Sequence, residues 1–159
     1  MADLLEAFER ITRSVGRLGH AEESLAPTEH PFEARNINPA LPITVKKLFD
    51  DGHYSQATFE AFKFVDKEVA RLAAHSESGV KLMMAVFSET SPLLKLNACS
   101  TASEKNEQLG FRFLFAGSML AIRNPRGHEY AVQDSPDECL DHIALASLLL
   151  RRLQAAGHK

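Results

Sequence analysis

The sequence is poor in the features that mark secreted, membrane-spanning or broadly basic proteins. Its 159 residues include only two cysteines, Cys99 and Cys139, with no Cys-x-x-Cys spacing. A disulfide framework is therefore not expected, and two unpaired thiols in a reducing compartment are. No apolar run approaches the roughly 20 residues that a membrane-crossing helix requires. The start, Met1-Ala2-Asp3, carries an acid where a leader would carry bases ahead of an apolar stretch. A cytoplasmic protein without membrane attachment is the expectation. Eighteen Lys and Arg against 21 Asp and Glu leave a formal charge of −3, which excludes a broad phosphate-binding surface but allows a local basic pocket. The chain also lacks a glycine-rich phosphate loop and a dinucleotide fingerprint, so no cofactor is expected.

With 45% hydrophobic and 25% charged residues, the chain has the make-up of a globular domain able to bury its own core. No segment alternates convincingly as a strand, whereas helical spacing recurs. Leu4, Phe8, Ile11, Val15 and Leu18 form an amphipathic stripe over 3–18, too short for a standalone coiled coil. Prolines 27, 31, 39 and 42 then interrupt the pattern, giving an extended arm and a boundary between residues 1–42 and a helical domain at 43–159. In that domain Thr44 is a candidate N-cap for a short helix that stops at Gly52. A long half-buried helix is expected over 55–74 and a shorter one over 80–87, followed by a loop over 88–103. The segment 104–123, the most apolar long stretch, reads as the central helix, with Gly110, Gly117 and Ala121 on a face open to close approach. Ser135, Pro136 and Glu138 announce the last helix and Gly157 ends it. The fold class is all-α, a bundle of four or five helices preceded by an N-terminal helix and arm.

The chemistry is concentrated in Arg123-Asn124-Pro125-Arg126-Gly127-His128. Pro125 should end the central helix, and Gly127 should let the chain turn so that His128 returns beside Arg123 and Asn124. A guanidinium offers a planar fork to phosphate oxygens, and an imidazole exchanges a proton near neutral pH. On a straight helix Lys105, Arg112 and Arg123 fall within about 20° of one another. They form either a basic track toward His128 or a solvated face answered by Glu104 and Glu107. The turn itself can equally be a plain helix terminus. Asp137, Glu138, Asp141 and His142 serve a helix start more readily than a metal, since no second histidine stands at ligand spacing. His53 and Tyr54 either anchor a turn or line a site.

Arg123-Asn124 and His128, with four residues between Arg and His, resemble the signature of the HEPN superfamily: Arg, a polar residue, a few residues, then His. The blocks Phe49-Asp50-Asp51-Gly52-His53-Tyr54, Gln108-x-Gly110, Leu114-Phe115-Ala116-Gly117, Ala121-Ile122-Arg123-Asn124-Pro125, Gly127-His128 and Ser147-Leu148-Leu149 resemble, more closely, the Ymh family within it. The likeness spans about residues 43–153. It implies a helical bundle that dimerises and, in catalytic members, cleaves RNA without metal at a site composed of Arg and His from both copies. Many relatives act as toxins or against phage, and others only bind or assemble. Carried over, Arg123 would hold the scissile phosphate, Asn124 would orient it or His128, and His128 would be the general acid or base. Lys105, Arg112 and Arg126 are candidate RNA contacts.

Three functions are the expectations: a metal-independent endoribonuclease acting as a homodimer, with an antitoxin or regulatory partner; a non-catalytic nucleic-acid or nucleotide-binding module; or an interaction domain working through its N-terminal helix and arm. A paired chain has a mechanistic reason in the first, because one histidine per chain must otherwise both remove the 2′-hydroxyl proton and supply one to the leaving oxygen.

Overall fold

The computed structural model describes residues 29–129 and 131–158; the amphipathic helix expected over 3–18 lies outside the described residues. Every regular element among these is helical. A short α1 (Pro31–Ala34) precedes α2 (Ile43–Asp50), α3 (Tyr54–Ala73) and α4 (Gly79–Val86). Then come α5 (Ala102–Ser118), a π-helical turn (Met119–Arg123), α6 (Asn124–His128) and α7 (Pro136–Ala155).

Helix starts and stops reflect local chemistry. Ser135 accepts from Glu138 N while Glu138 reaches back to the cap, a complete capping box with Pro136 at the first position. Thr101 and Glu104 form a second box, so α5 begins two residues earlier than its apolar pattern suggests. Thr44 does not cap α2; Pro42 holds that position, and Thr44 lies in the first turn. Gly52 closes the α2 turn at φ +78°, a conformation that side chains disfavour. The start of α4 depends on a buried acid, since Asp66 on α3 accepts from Gly79 N at 2.6 Å.

The helix at the centre is α3, not α5. It contacts α2, α4, the π turn, α6 and α7, and buries Ala57, Ala61, Phe62, Val65 and Val69 without remaining exposure. By contrast, α5 fastens only one side, through Phe115 stacked on Phe87 at 4.3 Å and Gln108, which binds Leu96 N and Leu94 O. Its other side leaves Phe113 and Leu114 at 57% and 47% exposure, and Leu120 in the π turn is 61% exposed. The apolar richness of this stretch therefore belongs to two faces, one of them uncovered.

The expected arm contributes to the domain from Pro31 onward. Phe32 and Leu41 join the core, and buried Asn38 is bonded to α7, donating from N to Ser147 Oγ and from Nδ2 to Gln154 Oε1, both at 2.9 Å. The compact unit thus begins at Pro31 rather than at residue 43. Prolines 39 and 42 shape a packed connection rather than a free arm.

Candidate functional site

Pro125 does not end the helix. A proline ring clashes with the carbonyl four residues back in a regular α-helix, and here the preceding turn is widened: Asn124 N donates to Met119 O, a five-residue step. The backbone then runs on through Asn124 at φ −64°, ψ −45° to His128. The expected return of His128 to Arg123 is therefore replaced by a continuous helix. Five residues along such a helix are about 7.5 Å of rise and about 140° of rotation apart, so the two side chains leave the backbone on different faces. Asn124 and His128, four residues apart, do share a face.

The widened turn also undoes the straight-helix alignment of cations. A π turn takes in about one extra residue, rotating the residues beyond it by about 100°. Arg112, ahead of the turn, reaches α4 and the loop after it, donating to Met84 O at 2.9 Å and Glu89 Oε2 at 2.8 Å. Arg123 instead faces α3, its guanidinium carbon 5.6 Å from the Phe59 ring centroid. Lys105 is exposed. The track leading to His128 is thus not continuous. Nor do Glu104 and Glu107 answer it: Glu104 caps α5, and Glu107 pairs with Arg152 at 2.8 Å.

Arg123 has an unusual position. Its Nη1 donates to Asn124 Oδ1 at 3.2 Å, while its Nε is buried without a partner. Arg35, Arg71, Arg112, Arg126 and Arg152 are each paired with a carboxylate; Arg123 and Arg151 have no such partner among the described residues, and of these two Arg151 is exposed whereas Arg123 is half-buried. A sheltered cation without an anion keeps its attraction for one. His128 is exposed at the end of the same helix.

Arg126 is fully engaged elsewhere. Its side chain is 8% exposed and that of Asp134 2%; Nε lies 2.8 Å from Asp134 Oδ2, and Nη1 donates to Ile122 O at 2.8 Å. Thr58 Oγ1 donates to the same carboxylate at 2.7 Å, and Asp134 N donates to Ser55 Oγ at 2.7 Å. His142 stands 3.6 Å from Asp134 Oδ2. Burial pushes the Asp134 carboxyl upward, but the bonds from Arg126 and Thr58 and the nearby charges outweigh it and hold the group below its ordinary range. This network fastens α6 to α3 and α7. It answers Arg126 as an RNA contact, since a phosphate would have to displace a buried carboxylate. The pattern of charged residues gives no signal for it, because Asp134 stands in a loop of no recognisable motif.

The remaining candidates have structural partners. Glu138 caps α7, and bonds from Ser135 lower its pKa; Asp141 pairs with Arg35. Tyr54 packs on Phe49 at 5.3 Å between centroids, anchoring the α2–α3 turn, and His53 is exposed beside it. Buried Cys139 donates to Tyr54 O at 3.2 Å, and burial raises its thiol pKa.

Gly127 is helical, so turn freedom is not its role. A Cβ there would sit 2.9 Å from Phe59 Cε2, on the ring that carries Arg123. Gly127→Ala gains helix propensity of about 1 kcal/mol but overpacks this contact by about 1–3 kcal/mol. A net loss of about 1 kcal/mol in urea unfolding is expected, recovered largely by adding Phe59→Leu.

The chain matches no curated protein and no solved structure. A family model does match residues 35–153, a span that takes in α2 through nearly all of α7. The chain belongs to the Hypoth_Ymh family, described as proteins of unknown function.

Proposed function

We propose that this protein is a metal-independent endoribonuclease of HEPN type, cytoplasmic and acting as a toxin or phage-defence effector, with Arg123, Asn124 and His128 of two copies forming the site. The observation that carries the reading is Arg123: a half-buried guanidinium seated on Phe59 and bonded to Asn124, with no carboxylate to neutralise it among the described residues. Such a group suits a phosphodiester, and an exposed histidine on the same short helix suits proton transfer.

The proposed step is transesterification. One His128 removes the ribose 2′-hydroxyl proton, the 2′-oxygen bonds to phosphorus, and the bond to the 5′-oxygen breaks. That oxygen takes a proton from His128 of the second copy, leaving a 2′,3′-cyclic phosphate, while Arg123 answers the charge gathering on the phosphoryl oxygens. The second copy has a surface available. Gly110, Phe113, Leu114, Gly117, Leu120 and Ala121 form an exposed apolar face on α5 and the π turn, and its three small residues allow close helix approach. Of the candidate RNA contacts, Lys105 is left as an exposed cation without an ion-pair partner among the described residues.

The test is RNA incubated with the full-length protein in EDTA. Cleavage to 2′,3′-cyclic ends, lost in His128→Ala and Arg123→Ala, supports the reading. Binding without cleavage replaces it with a nucleic-acid-binding module, and indifference to RNA, with a partner lost on removing residues 1–42, replaces it with an interaction domain.

A further inference from the structure

Where the first turn of α3 meets the segment after α6, there is an open cleft of about 630 Å³. Its lining includes the Arg126–Asp134 pair, the half-buried Tyr54 and Val132, and the exposed His53, Glu129 and Gln133. The ion pair is already matched charge for charge, and Glu129 adds a negative group, so the cleft disfavours phosphate. The backbone N–H groups of His53 and Glu129 are bonded to Leu48 O and Pro125 O, whereas the side-chain polar atoms of Glu129, Gln133 and His53 have no partner among the described residues and are free for a ligand. A flat, uncharged group with polar edges fits these surroundings.

A carboxylate places two acceptors side by side and matches two adjacent N–H donors. Among the four RNA bases only guanine carries such a pair on its pairing edge, N1–H beside the N2 amine, with O6 adjacent for an amide donor such as Gln133. Bases held in this way are read on their exposed edges and stacked on planar side chains, for which His53 is available. Glu129 directly follows His128, so a base held by Glu129 would belong to a nucleotide next to the phosphate at His128. We propose that this cleft is a guanine-selective base subsite with Glu129 as its discriminating residue, an inference that rests on the RNA-cleavage reading of the α6 terminus.

The experiment titrates the full-length protein with guanosine, inosine and adenosine 5′-monophosphates, which share a phosphate and differ in the base. Side-chain amide signals of Gln133 and dissociation constants are read by NMR. The guanosine form is expected to shift the Gln133 amide and bind about tenfold or more tightly than the adenosine form. Inosine, lacking the N2 amine, should lose much of that advantage. Glu129→Gln, an exposed change, should abolish the advantage of the guanosine form over the adenosine form, because an amide no longer offers two acceptors side by side. Equal affinities for the three nucleotides, an unmoved Gln133 amide, or a guanine preference that survives Glu129→Gln would each overturn the proposal. Because no cleavage is measured, the two ideas fail separately. A protein that selects guanine here but leaves RNA intact in EDTA loses the nuclease reading, and one that cuts without guanine preference loses the subsite.

Discussion

Replacing Asp134 by alanine is expected to lower the free energy of unfolding by about 3–5 kcal/mol, the usual consequence of stripping one partner from a buried ion pair. Asp134 and Arg126 are 2% and 8% exposed, so the guanidinium would remain in place with little water to replace its carboxylate. Against a total stability of about 5–15 kcal/mol, such a loss brings the domain near its threshold. Urea unfolding would show a reduced midpoint at unchanged slope. The double replacement Arg126→Met with Asp134→Leu separates loss of the pair from loss of volume: it should recover most of the stability, because apolar side chains of similar size often replace a buried pair at little cost. A double variant as unstable as Asp134→Ala would mean that Thr58, Ser55 and Ile122 O carry the network instead.

The same carboxylate gives stability a pH dependence of known sign. Its folded pKa lies below the ordinary value, chiefly because the bonds from Arg126 and Thr58 overcome the opposing effect of burial. A group depressed on folding contributes fully above its unfolded pKa, about 4, and loses that contribution as pH falls through the folded value. Wild type should therefore lose stability on acidification below about pH 4 more steeply than Asp134→Asn, in which the titrating group is gone.

The helical content of residues 43–159 was legible because capping and periodicity act locally. Ser135, Pro136 and Glu138 specify the start of α7 without tertiary help. Three departures from the local rules share one origin, namely that packing decides where those rules are silent. Pro125 is a helix breaker only while the preceding turn is α, and the π turn removes that condition. The prolines of the expected arm signal irregular backbone, but they do not reveal that Phe32, Asn38 and Leu41 are buried. The apolar density of residues 104–123 cannot distinguish a helix covered on all sides from one whose second face is open, and the exposure of Phe113, Leu114 and Leu120 decides for the latter. At the candidate site, the residue types of Arg123, Asn124 and His128 were visible in the chain. What surrounds them was not, since Phe59 under Arg123 and Asp134, which engages the neighbouring Arg126, approach from other elements and carry no motif.

That geometry leads to the most demanding consequence of the proposed function. His128→Ala should cut RNA cleavage by about 10²–10⁴-fold, the range for loss of a general acid or base, while leaving unfolding essentially unchanged because His128 is exposed. If each site needs both copies' histidines, the loss must also spread through mixed pairs. Wild type and variant unfolded together and refolded at equal amounts would form random pairs, of which only about a quarter contain two intact histidines. Activity should fall to about a quarter of that of an equal total amount of wild type, whereas independent subunits would keep about half. Leu120→Glu provides the companion measurement. Leu120 is 61% exposed in the single chain, so a charge there costs the isolated fold little but disrupts an apolar face meeting its own copy. The variant should sediment as a monomer with an unchanged urea midpoint and without ribonuclease activity. A fully active monomeric variant, or half-activity in the mixture, would return the chemistry to one subunit, where about 140° of helix separates Arg123 from His128 and one imidazole would have to perform both proton transfers.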